Sequence, residues 1–249
     1  MCRLLRADFY RMYRKKWFWL CVLFMIALAA AFVMLQYTAM EYTVGLDRVI
    51  FLPLSFFGVA SGALLSLFAG EDFSDGVIRN KMIAGAKRSS IYLSNLSVSI
   101  VASLTVYLFT IAVTMGVGVW LFVWNVSVWE IMFYLILGLF CCAAYACIYA
   151  MCAMLLAKKS TAVVVCMGLS FFLLFLALHT NQMMIQLLGT GEAMELWYGI
   201  LHDFNPCGQA AQLSQMKCLN AVRFVAADIG WIVASACIGT WLFEKKDIK

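Results

Sequence analysis

Proline is scarce in this chain, with two residues in 249, and charge is sparse, at 12% of the sequence. So few prolines beside 19 Phe and 15 Met predict long uninterrupted helices rather than a turn-rich β protein. A membrane β-barrel, whose strands alternate apolar and polar residues, is set aside. The dipeptide Gly-Lys does not occur, so the chain has no G-x-x-x-x-G-K-[ST] phosphate loop and no ATP site of its own of that kind. Two histidines, with no H-E-x-x-H and no C-x-x-C pair at zinc spacing, exclude the familiar zinc centres. The predicted catalytic, metal and cofactor residues are therefore none. What is abundant is apolar surface. The chain is 65% hydrophobic, with mean hydropathy +0.93, and a bilayer is the solvent such a composition requires.

Hydrocarbon about 30 Å thick takes about 20 apolar residues at 1.5 Å each. Six runs qualify: Trp17 to Met40, Val49 to Gly70, Val98 to Trp124, Ile131 to Ala157, Thr161 to His179 and Val222 to Phe243. The predicted fold is all-α and polytopic, one membrane domain over residues 1–249 without internal repeats. Assigning the connections alternately to two sides places fifteen of the eighteen Lys and Arg on one side, with both termini. The positive-inside rule makes that side cytoplasmic. The basic start is expected to be a retained helix rather than a cleaved signal. Trp17, Phe18 and Trp19 at one end, and Trp120, Trp124 and Trp129 at the other, read as interfacial belts.

Ten cysteines do not make a disulfide framework. Cys21, Cys141, Cys142, Cys147, Cys152, Cys166 and Cys237 lie inside apolar runs, where a thiol packs as a small hydrophobe. Cys207 and Cys218 stand together in a polar connection, residues 180–221, and are the candidate disulfide if that side is oxidising. This connection also holds Gly189, Gly191, Glu192, Glu195, His202 and Asp203. Its apolar content, including Leu187, Leu188, Met194, Leu196, Trp197, Ile200 and Leu201, predicts short helices folded back over the outer membrane surface. His179 is a poor partner for an intramembrane serine. Arg223 and Asp228 are five residues apart, on different helix faces, and are expected to snorkel to the nearby boundary.

Two segments on the basic side carry chemistry. Over residues 3–16, Leu5, Phe9, Met12 and Tyr13 fall on one helical arc and Arg3, Arg6, Arg11, Arg14 and Lys15 on the other. This predicts an in-plane amphipathic helix on anionic headgroups; the alternative is a positive flank that only sets topology. In residues 71–95, Ser74 as N-cap, Asp72 and Asp75 near the start and Gly85 as left-handed stop predict a short exposed helix, Asp75 to Ala84. Val77, Ile78 and Met82, flanked by Arg79 and Lys81, are expected to present a small apolar surface to a partner's groove, an ordinary solvated loop being the alternative.

The string FAGEDFSDGVIRNKMIAGAKRSSIYLSN, residues 68–95, resembles the segment after the second helix in bacterial type-2 ABC transporter permeases, those of bacitracin and lantibiotic self-protection exporters above all. LLRADFYRMYRKKWFW, residues 4–19, and WLFEKKDIK, residues 241–249, are similar to that family too. The resemblance implies six helices, pairing with a second permease subunit, and a cytoplasmic ATPase that holds ATP and Mg and docks on a coupling helix. Glu71, Asp72, Asp75, Val77, Ile78, Arg79, Lys81 and Met82 map onto that coupling element. The expected function is outward movement of an amphipathic compound, such as a peptide antibiotic or lipid-like molecule, across a bacterial plasma membrane. No nucleic acid is expected as a partner. The competing expectations are an ion-coupled carrier or channel, which would need carboxylates at mid-depth in the spans, and a membrane assembly protein without transport.

Overall fold

The computed structural model describes residues 2–39, 45–156, 158–187 and 193–246. Ten α-helices run in chain order: α1 Cys2–Arg14, α2 Lys16–Ala39, α3 Phe57–Ser74, α4 Val77–Ile83, α5 Arg88–Leu121, α6 Val128–Leu155, α7 Lys159–Leu187, α8 Ala193–Phe204, α9 Pro206–Ser214 and α10 Ala221–Lys245. Six segments are long and apolar enough to cross a membrane: α2, Leu46–Ser74, α5, α6, α7 and α10. There is no strand among the described residues. Met40, Ala157, Leu188, Gly189, Gly191, Glu192 and Lys249, named in the sequence reading, lie outside the described residues.

The helix ends have local causes. Ser127 and Glu130 form a reciprocal capping box at the start of α6, with the Glu130 amide donating to Ser127 Oγ at 3.2 Å and the Ser127 amide donating to Glu130 Oε2 at 3.1 Å. The Asn220 side chain accepts from Val222 and Arg223 amides to start α10, and Asn205, followed by Pro206, starts α9. The second span is not one helix. Leu46–Arg48 and Leu52–Phe56, the latter containing Pro53, are 3-10 turns that lead into α3.

α6 packs against α3, α5, α7 and α10 and stands at the centre with α3, while α2, α7 and α10 leave most of their surface outward. Its small residues let neighbours approach, among them Cys142, Ala144, Ala146, Cys147, Ala150 and Ala153, all buried. Tyrosine rings fill glycine notches. The Tyr145 and Tyr149 rings stack 5.9 Å apart, and a Cβ at Gly58 of α3 would stand 2.9 Å from the Tyr145 ring. Tyr92 of α5 lies against Gly239 of α10, its hydroxyl donating to Ser235 O at 2.8 Å. The tryptophans at the ends of the bundle are exposed, but Phe18 is buried and takes no part in a belt.

Candidate functional site

At the end of the bundle where α1 begins and α10 stops, three carboxylates tie six helices together. Glu71 and Asp72 occupy the last turn of α3. Arg11 and Lys15, one turn apart, both pair with Asp72, the second at 3.2 Å. Lys15 also meets Glu71 Oε2 at 3.0 Å, and Lys159 at the start of α7 meets Glu71 Oε1 at 3.0 Å. The Trp17 indole N–H donates to Glu71 Oε1 at 2.7 Å. On α1, Asp8 is buried, accepts from Ser94 Oγ of α5 at 2.8 Å and pairs with Lys81 of α4 at 2.6 Å. Two half-buried cations on one carboxylate leave little freedom for α1, because separating any pair would strand a buried charge.

This hub carries α4. A left-handed Gly76, φ 67°, follows α3 as the N-cap of α4, and no side chain caps that end. Ser74 is the last residue of α3, not the N-cap the sequence reading expected, so the helix is seven residues rather than ten. At the other end Gly85, φ 85°, stands where a left-handed stop is expected. The Gly85 amide donates to Met82 O and the Ala86 amide to Lys81 O, the Schellman pattern. The segment 71–95 is thus the end of α3, α4, two tight turns and the first two turns of α5.

The predicted apolar face is turned the other way. Ile78 is buried at 1% exposure and Met82 is partly buried against the core, because α4 lies back on the bundle and uses them as its anchor. Val77 is half-buried, and Lys81 is drawn in toward Asp8. What α4 presents outward is Arg79, Asn80, Ala84 and Ile83, the last 75% exposed, with Asp75 and Lys87 to either side. The sequence reading missed Asn80 and Ile83, since a seven-residue helix fixes which side faces out only once its anchor is known. It also missed Asp8. The signal was there: Asp8 is the one acid in the first sixteen residues, and it is placed i, i+3 before Arg11.

The basic face of α1 is likewise divided. Arg11 and Lys15 turn inward to the acids; Arg6, Arg14 and Lys16 remain exposed, and Met12 is buried. Tyr13, placed by the sequence on the apolar arc, is 41% exposed.

At the opposite end, α8 and α9 do fold back, but α9 wedges between α3, α6 and α7 rather than lying over them. The wedge is polar inside. His202 Nδ1 is 2.8 Å from Thr180 Oγ1, and burial pushes its imidazole below the usual range. Gln212 Nε2 donates to Asp203 Oδ1 at 2.8 Å and Asn205 Nδ2 to Leu173 O at 2.8 Å. Cys207 and Cys218 are free thiols. Cys207 lies in the first turn of α9 and Cys218 beyond its end, and the candidate disulfide is not formed. Arg223 pairs with the buried Asp203 of the wedge at 3.2 Å. Asp228 does not snorkel and is fully buried. Among the described residues no group of three His, Cys, Asp or Glu is placed to hold a metal. In comparisons with known proteins, no family model and no curated protein matches the chain, so the site is read from its own residues.

Proposed function

We propose that the chain is the membrane-spanning subunit of an ATP-driven exporter, with α4 as the element on which a separate cytoplasmic ATPase seats. The observation that supports this most is a short helix fixed at its root by Ile78 and the Lys81–Asp8 pair, with Arg79, Asn80 and Ile83 left outward and unused. An exposed isoleucine between polar neighbours suits a partner's groove, and an element welded to α1, α3 and α5 transmits a push to the spans instead of absorbing it. The excess of Lys and Arg on this side supports assigning it, with both termini, to the cytoplasm of a bacterial cell. There α1 lies along the membrane, with the exposed Arg6 and Arg14, and Lys16 at the start of α2, toward anionic headgroups at about 1 kcal/mol each. ATP and Mg belong to the partner, a second permease subunit completes the path, and the cargo is amphipathic because the spans are lined by apolar side chains.

The test is the pair of substitutions Ile83→Asp and Arg79→Glu. Both side chains face out, so insertion and folding are expected to be unchanged, while ATPase co-purification and ATP-dependent transport are lost. Retention of the ATPase at unchanged affinity would overturn the assignment. Ile78→Asp serves as the contrast, since its site is buried and its loss unfolds the α4 anchor. The ion-coupled carrier has one specific observation in its favour, the buried carboxylate of Asp228 in a span. Transport that collapses with the proton or sodium gradient while ATP remains would select it.

A further inference from the structure

Where α6 and α10 begin, at the end of the bundle opposite the acid hub, two hollows share a wall. The first is an open cleft of about 580 Å³, the size of a small-molecule site, lined by Asp47, Glu130 and Lys217 with the rings of Trp129, Phe133 and Tyr134. The second is a groove of about 490 Å³ between α6 and α10, and every side chain along it is apolar, from Phe133 and Ile136 on α6 to Val222, Val225, Ala226 and Ile229 on α10. Phe133 lines both. Trp129, Phe133 and Ile136 recur at helical spacing, so one face of α6 leads from the polar cleft into the apolar groove. At 1.5 Å per residue the groove runs about 12 Å along α10, from Ala221 to Ile229.

The polar cleft is set by local bonds. The Leu46 amide donates to Val123 O at 3.1 Å and Asn125 Nδ2 to Asp47 Oδ1 at 2.9 Å, which fixes the connection bearing Asp47 against the one that leads into α6. Glu130 Oε2 accepts the Ser127 amide in the capping box. Each carboxylate thus gives one oxygen to the fold and keeps the other without a donor among the described residues. Neither acid, nor the exposed Lys217, belongs to an ion pair among the described residues.

A ligand for this cleft must answer both signs of charge. An anionic headgroup would face two carboxylates and a polycation would face Lys217, whereas a zwitterion complements all three. The free carboxylate oxygens accept hydrogens, which a primary ammonium carries and a quaternary one lacks. Aromatic faces beside them favour a cation further. Continuation into an apolar groove calls for a hydrocarbon chain on the same molecule. Trp124 and Trp129, 49% and 85% exposed, mark this level as that of lipid headgroups.

We propose that cleft and groove form one binding site for a phospholipid with a primary-amine headgroup, phosphatidylethanolamine. Its ammonium is held by Asp47 and Glu130, its phosphate by Lys217, and one acyl chain lies between α6 and α10. The lipid splints the start of α10 to α6 and to the connection before α3. Binding needs neither ATP nor a partner chain, so it holds whether or not the chain is an exporter subunit.

Native mass spectrometry of the full-length protein in detergent tests it, with phosphatidylethanolamine, phosphatidylcholine or phosphatidylglycerol of the same acyl chains added in turn. Wild type is expected to hold phosphatidylethanolamine about tenfold more tightly than either of the others. Asp47→Asn with Glu130→Gln keeps the oxygens that Asn125 and Ser127 use, so the fold stands, while the preference over phosphatidylglycerol is lost. Lys217→Gln should weaken phosphatidylethanolamine about tenfold, and Ala226→Trp, which fills the groove, should weaken all three lipids alike. Equal binding of the three lipids by wild type, or a preference that survives the double substitution, would overturn the site. Dodecylamine, with the amine and the chain but no phosphate, checks the occupant. If it displaces phosphatidylethanolamine at equal concentration and is indifferent to Lys217→Gln, the site takes a cationic amphiphile and the phospholipid assignment falls. Should the double variant fail to fold, Lys217→Gln decides at an exposed position: unchanged affinity for phosphatidylethanolamine overturns the proposal.

Discussion

Asp72 is completely buried, and it holds two cations by one carboxylate oxygen. Replacing it by Ala leaves Arg11 with only Asp8, at 3.6 Å, and Lys15 with only Glu71, at 3.0 Å, so the loss stays below the roughly 3–5 kcal/mol of a buried charge left with no partner at all. We expect Asp72→Ala to lower the melting temperature in detergent and to open α1 to trypsin after Arg11 and Arg14. Adding Arg11→Met should restore part of the stability, because an apolar partner is better there than a charge short of its partner; equal trypsin resistance in wild type and Asp72→Ala would refute the hub. None of this was legible in the sequence as a network. Glu71 and Asp72 stood out as acids at the root of a polar segment, whereas Arg11 and Lys15 read as part of a face toward lipid headgroups and Lys159 only as a charge to be counted. Their partners lie 57 to 88 residues away, and no local spacing encodes such a pairing.

Among the elements, α10 ends with a titratable brace. Lys246, just past its last turn, donates to Met154 O in the last turn of α6 at 2.9 Å, and its ammonium lies 4.0 Å over the Phe73 ring. A cation suits a helix C-terminus and an aromatic face, yet burial outweighs both and lowers the ammonium from 10.5 to about 8. Between those two values the unfolded chain binds more protons than the folded one, so stability rises with pH through that window. The contribution is complete above 10.5 and lost as pH falls to 8 and below. Thermal melts of Lys246→Met should be flatter than wild type across this range, and parallel curves would deny the brace. The long helices themselves were readable from runs of apolar residues. Their ends were not, because Arg88 and the polar turns that follow it continue α5 below the apolar stretch, and a charge-free window cannot see a helix that goes on past it.

For the whole molecule, the two ends differ in kind: one is laced by ion pairs between helices, the other plugged by a polar wedge. A single-cysteine series on a cysteine-free background checks which end meets which compartment. Lys87 and Lys217 are both exposed, at opposite ends. A membrane-impermeant thiol reagent applied to intact cells should label Lys217→Cys and reach Lys87→Cys only after lysis, and the reverse pattern would invert the topology. Composition alone identified the bilayer as solvent, and the number of spans followed from length. The wedge escaped because the connection was expected to lie over the membrane surface, and Gln209 and Gln212 of the short α9 signal no insertion until their partners in α8 and α10 are known. The acid hub also bears on how the chain is made. Synthesis proceeds from the N-terminus, so the cations of α1 leave the ribosome tens of residues before Glu71 and Asp72 exist. During that interval they lack their partners in α3, and they can anchor the first span by holding its start on one side of the bilayer. When the end of α3 arrives, two of the same charges are withdrawn into ion pairs, and a topogenic signal becomes a structural joint. On the proposed topology, the charges that would orient the first span are the ones later neutralised by Glu71 and Asp72.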